Sequence, residues 1–160
     1  MDSDVLCATS WRARPRSFVA LMTLYESNFI RLHWLVADAR RLAPVSLSRV
    51  SGDCTLELKV VDRGPYTTML CLSYLFGDAE GGDREPALEI RVYHDAKLAE
   101  ATAGGTTRRA GPWREFIARV ELAAGAGWAR NMLLNKWLEY CAARGHRFPP
   151  VCAATSPAPG

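Results

Sequence analysis

Several things are scarce in this 160-residue chain. No apolar run approaches the ~18 residues that a membrane-spanning helix needs, so no membrane segment is expected. The N-terminus carries Asp2 and Asp4 and has no apolar stretch before Pro15. It is therefore not read as a secretory signal, and a cytoplasmic location is expected. Charge of one sign is also scarce: 20 Lys and Arg face 17 Asp and Glu, a formal net charge of +3. A dedicated nucleic-acid binder carries a denser basic surface, so nucleic acid is not expected as a partner. The five cysteines, Cys7, Cys54, Cys71, Cys141 and Cys152, are odd in number and none sits in a C-x-x-C pair. That argues against a disulfide framework and against structural zinc. His33, His94 and His146 have no ligand spacing, so no metal is expected. The phosphate-binding G-x-x-x-x-G-K-[ST] loop, G-x-G-x-x-G, H-E-x-x-H and G-x-S-x-G are all missing, so neither a cofactor nor an assembled nucleophile is indicated.

What is present is ordinary for a globular chain: 49% apolar and 23% charged residues. One domain is expected over 17–150, between a disordered leader at 1–16 and a disordered tail at 151–160. Ser17 can cap a helix. The apolar positions Phe18, Leu21, Met22, Tyr25, Phe29, Leu32 and Val36 then trace one helical face. Arg40 and Arg41 suit its C-terminal end, and Pro44 would stop it. Glu26, Asn28 and Arg31 fall off that stripe and read as solvated surface.

Alternating stretches follow, the mark of an antiparallel sheet. Val45 to Val50 is a weak first strand. Cys54, Leu56, Leu58 and Val60 share one face of the second. Tyr66 to Phe76 is a long third strand with Thr68, Leu70, Leu72, Tyr74 and Phe76 toward the core. Gly77 to Pro86 reads as a glycine-rich acidic loop. From Leu88 a clean strand places Leu88, Ile90 and Val92 on one face and Glu89, Arg91 and Tyr93 on the other. The chain picks up again at Leu98. Ala103 to Ala129 is broken by glycines, and a short helix or a strand both remain open there. A closing helix runs from about Ala129 to Arg144, with Leu133, Leu134, Trp137, Leu138, Tyr140 and Cys141 as its stripe and Gly145 as its stop. The sum is an α+β fold: a two-layer domain whose antiparallel meander of about four to five strands is covered by an N-terminal and a C-terminal helix.

In a meander, the start of one strand lies beside the end of the next. Arg63, Tyr66 and Thr67 should therefore meet His94 and Asp95, with Arg91 and Tyr93 on the same strand. These seven residues are the candidate binding site, because polar residues at strand ends on a firm sheet commonly bind ligands. His94 and Asp95 are adjacent and point to opposite faces unless a turn bends them together. The bland alternative is a β-turn in which Asp95 bonds its own backbone and His94 is a half-buried imidazole.

These residues carry a family resemblance. Leu24-Tyr25-Glu26-Ser27-Asn28-Phe29, Tyr66-Thr67-Thr68, Arg91-Val92-Tyr93-His94-Asp95-Ala96 and Asn131 with Trp137-Leu138, Cys141 and Gly145 resemble the YqiB-like family of small proteobacterial proteins, a domain of unknown function. The resemblance spans about Val19 to Pro149. Two pieces depart from it: Pro65 stands where the family usually has Arg, and Gly125-Ala126-Gly127 replaces an Asp-Glu-Lys piece. In some relatives the gene lies beside enzymes of nucleotide metabolism, and the resemblance points that way without supplying a mechanism.

Three functions are expected in order. The first is a non-catalytic binding or accessory protein that uses the Tyr66–His94 sheet end for an unknown protein or small-molecule partner. The second is a hydrolase of a nucleotide-like phosphoester, with His94 as general base and Arg63 or Arg91 on phosphate. The third is nucleic-acid binding through Arg108 to Arg119.

Overall fold

The computed structural model describes residues 17–76, 83–104, 115, 119 and 125–151. Helix α1 spans Phe18–Leu35 and helix α2 spans Ala126–Arg144. Between them lie a 3-10 turn, Ala39–Arg41, and five strands: β1 Val45–Ser48, β2 Thr55–Arg63, β3 Thr67–Phe76, β4 Asp83–Tyr93 and β5 Leu98–Gly104. The strands form one sheet in the order β1-β2-β3-β4-β5, every neighbour antiparallel. This is the expected two-layer α+β meander covered by two helices.

The alternating pattern puts Leu56, Leu58, Leu70, Leu72, Leu88, Ile90 and Val92 on the inner face, all buried. Leu32 and Leu35 from α1 and Leu133, Leu134, Trp137, Leu138 and Cys141 from α2 close over them. Fully burying a residue of this size contributes roughly 1.5–3 kcal/mol, so this inner layer drives assembly of the domain.

Ser17 caps α1, its Oγ accepting the Ala20 N–H at 3.0 Å. The helix face differs from the expected stripe. Ala20, Leu24, Asn28, Leu32 and Leu35 are buried, while Phe18 is exposed. The helix is turned because it must meet α2 and the β5 edge as well as the sheet. Asn28, expected at the surface, is fully buried as a result. Nor does α1 run on toward Pro44. It ends at Leu35 as Val36 turns extended and pairs in parallel with Phe148. Arg40 and Arg41 belong to the separate 3-10 turn.

β4 begins at Asp83, inside the stretch expected to be a loop. The β3–β4 register shifts between Ser73 and Leu75, opposite the segment that holds Pro86. Such an irregularity accommodates a residue without an N–H inside a sheet. β5 ends at Gly104 with φ +89, where a Cβ would stand 2.0 Å from the Ala87 carbonyl oxygen, so only glycine fits. α2 ends as expected at Gly145, in the left-handed conformation. The 1–16 leader and residues 152–160 lie outside the described residues, as does nearly all of 105–124.

Candidate functional site

The antiparallel β3–β4 register pairs Thr67 with Tyr93, so the residues just beyond them meet at one end of the sheet. The His94 N–H donates to the Tyr66 carbonyl at 2.9 Å. Tyr66 itself lies in the bend before β3, its side chain 66% exposed. His94 continues the inward phase of Val92, and its Nε2 shares a 2.7 Å hydrogen bond with Oγ1 of the buried Thr68. Among the described residues no hydrogen-bond partner reaches its Nδ1. Burial pushes the His94 pKa below its ordinary value of 6.5, and the Arg40 charge adds to this, opposed by Asp38. The 3-10 turn thus faces the imidazole across the sheet end.

The other candidates are placed differently. Asp95 Oδ1 accepts the Ala96 N–H at 2.9 Å, an Asx-type turn, and no hydrogen bond joins Asp95 to His94. The Thr67 carbonyl accepts the Gly64 N–H at 2.7 Å and closes the β2–β3 turn. The Arg63 guanidinium donates to the carbonyls of Arg40 and Leu42, tying β2 to the segment after the 3-10 turn. Arg91 and Tyr93 sit on the outer face. The Tyr93 hydroxyl holds Arg91 toward its charged form, with further help from Glu100 and Glu89. Tyr93 donates to Glu100 Oε2 at 3.1 Å, and Tyr25 reaches from α1 to Glu100 Oε1 at 3.3 Å. Burial, and then that carboxylate, raise the Tyr25 pKa to about 12. The structure therefore joins the Thr68 and His94 side chains, ties the Tyr66 backbone to that of His94, and leaves Arg91 and Tyr93 across the sheet.

Two polar networks escaped the sequence reading. In the first, the Asn131 side chain completes the β5 edge: its Oδ1 accepts the Ala101 N–H at 2.8 Å and its Nδ2 donates to the Ala101 carbonyl at 3.3 Å. Asn28 Nδ2 donates to the Ala99 carbonyl and to Asn131 Oδ1, both at 3.3 Å, and Asn135 Nδ2 donates to Asn28 Oδ1 at 3.1 Å. In the second, His146 Nδ1 bonds Ser48 Oγ at 2.9 Å and its Nε2 bonds Asp53 Oδ2 at 2.8 Å. The Tyr74 hydroxyl also donates to Asp53 Oδ2, at 3.0 Å. Ser, His and Asp in a chain suggest a catalytic triad by composition. Here, however, Ser48 and His146 are buried, and Ser48 Oγ also accepts the Arg147 N–H. The group stitches the end of α2 to the β1–β2 turn. Burial pushes the neighbouring Cys141 thiol up to about 12, away from thiolate chemistry. No local motif announces either network, because its bonds join residues from 21 to 107 positions apart.

Among the described residues no group of three or more His, Cys, Asp or Glu could hold a metal ion, and no helix is long and apolar enough to cross a membrane. The fold defines a two-layer α+β meander protein whose conspicuous polar residues gather at a sheet end and along one sheet edge. Residues 31–147 match the family described as "Protein of unknown function (DUF1249)", and the chain belongs to that family. It is 29% identical over 141 residues to the uncharacterised protein YqiB of Escherichia coli strain K12, covering 84% of this chain and 94% of that protein. The YqiB proteins of strains O6:H1 and O157:H7 match equally. No solved structure matches the chain.

Proposed function

We propose that this protein is a non-catalytic binding or accessory protein of the cytoplasm, and that Tyr66 and His94 at the sheet end hold its ligand or partner. The observation that carries this reading is the asymmetry of His94. Among the described residues one ring nitrogen is fixed by Thr68 while the other is unengaged, and the His94 backbone is bonded to that of the exposed Tyr66. A half-buried imidazole held in one orientation is a directional donor or acceptor, and the neighbouring Tyr66 offers an exposed aromatic ring to a ligand at the same sheet end. Asp38 and Arg40 supply charge of both signs nearby.

The hydrolase reading has less support. Arg91 lies on the opposite face from His94, and the Arg63 guanidinium is committed to two carbonyl oxygens. The nucleic-acid reading rests on Arg108 to Arg119, nearly all of which falls outside the described residues.

A thermal-shift screen of the full chain against nucleotides, nucleotide sugars and other phosphoesters tests the proposal, since a ligand of the folded state raises the midpoint by mass action. A stabilising compound should lose its effect in Tyr66→Ala and in His94→Ala. Turnover of any of these phosphoesters that His94→Ala abolishes would overturn the non-catalytic reading. Stabilisation that both variants retain would remove the sheet end from the proposal.

A further inference from the structure

Strand β1 is the second outer edge of the sheet. The Pro44 carbonyl accepts the Val60 N–H, and the register continues as Ser46 with Leu58 and Ser48 with Leu56. Those residues turn their backbone groups toward β2. Val45 and Leu47 must then turn theirs outward, as alternate residues of an antiparallel strand do. Among the described residues nothing pairs with them. Their side chains are 51% and 40% exposed.

β1 starts at an open depression of about 870 Å³, whose apolar wall includes Leu42, Pro44, Val60 and Val61. Arg41 and Arg63 also line it, and Arg49 follows the other end of β1. Arg41 and Arg63 give their hydrogen bonds to carbonyl oxygens, those of Val151, Arg40 and Leu42. Among the described residues none of the three arginines makes an ion pair. Asp62 is the one carboxylate among the described residues lining the depression, and Glu57, beside Leu47, is paired with Lys59. A strand edge without a partner among the described residues therefore lies between arginines that form no ion pair there.

We propose that the β1 edge takes an extended acidic peptide segment of another protein as a sixth strand. The outward N–H and C=O groups of Val45 and Leu47 would pair with its backbone. Its alternate apolar side chains would cover Val45 and Leu47, and its carboxylates would meet Arg41 and Arg49. A second copy of this chain fits poorly. Antiparallel β1–β1 pairing with Val45 opposite Leu47 sets Arg49 of each copy opposite Ala43 of the other, beside the Arg41 and Arg63 charges. This surface is distinct from the Tyr66–His94 sheet end, and neither proposal depends on the other.

The test uses the full chain and two fluorescently labelled octapeptides: Asp-Glu-Val-Thr-Val-Thr-Asp-Glu, and the same peptide with every acid replaced by Lys. The acidic peptide should bind in anisotropy titrations and slow hydrogen exchange at the Val45 and Leu47 amides by about tenfold or more, while the Lys peptide does neither. Arg41→Glu with Arg49→Glu should weaken binding by about tenfold or more. Leu47→Pro, which removes an outward donor without touching the β1–β2 ladder, should abolish it. If the proline variant fails to fold, the charge reversal decides alone. Equal binding of both peptides, protection elsewhere on the sheet, or no binding of the acidic peptide at millimolar concentration would overturn the proposal. Sedimentation showing a dimer that the charge reversal strengthens would overturn it too, by giving the edge to a second copy.

Discussion

The two outer strands of the sheet meet the same problem and end differently. Along β5, Asn28 from one helix engages the outward carbonyl of Ala99, Asn131 from the other engages both outward groups of Ala101, and Arg130 donates to the carbonyls of Thr102 and Gly104. Along β1, Val45 and Leu47 find no partner for theirs among the described residues. A free strand edge invites pairing with another chain, and proteins commonly cover or charge such edges. Here helices supply the cover from their side chains, so the network is buried and must be complete. Both side-chain polar atoms of Asn131 and both of Asn28 are engaged. The protected edge is therefore a folding element, and the unprotected one contributes little beyond its own ladder.

That contrast can be broken by substitution. The largest effect is expected from Asn131→Ala, which strands the Ala101 N–H and carbonyl away from water. About 3 kcal/mol of stability should be lost in urea unfolding, with Asn28→Ala costing about 2 kcal/mol. Losses below about 1 kcal/mol for both would mean that packing alone holds the β5 edge.

A smaller effect separates the edge from the sheet end. The asparagines do not titrate, whereas His94 takes a proton less readily in the folded protein than in the unfolded chain. Its contribution to stability is full above its ordinary pKa of 6.5 and is lost as pH falls below that value. Between pH 7 and pH 5, His94→Gln should flatten the decline in unfolding free energy, while Asn131→Ala should lower the curve without changing its slope. An unchanged slope in His94→Gln would show that the imidazole is not desolvated.

The smallest effect is expected at β1. Leu47→Thr keeps the strand propensity and changes an exposed side chain, so stability should shift by no more than about 0.5 kcal/mol. A loss above about 1.5 kcal/mol would mean that Leu47 is a core residue and the edge is not free.

The sheet was legible in the sequence because each strand buries one face, which writes Leu70-x-Leu72 and Leu88-x-Ile90-x-Val92 as plain alternation. The antiparallel order then placed Tyr66 beside His94, and alternation put Arg91 and Tyr93 on the other face. The α1 face was not legible. Hydrophobic periodicity counts Asn28 as polar, and nothing within its own helix shows that β5 and α2 will satisfy it. The same holds for Arg63, whose partners are carbonyl oxygens, which any sequence supplies. His146 and Asp53 are likewise joined only when the end of α2 folds back onto the β1–β2 turn. Beyond the alternating pattern, long-range polar partners decide where these residues go.

The Asn131 carboxamide has one further consequence. It is chemically a peptide unit, so at Ala101 it stands in for one residue of a neighbouring strand, delivered sideways from a helix. Sheet-to-sheet growth into a filament needs two adhesive ends per molecule, and this one has its second end sealed. Whatever docks on the remaining end closes the assembly, and a chain reaction has nowhere to continue.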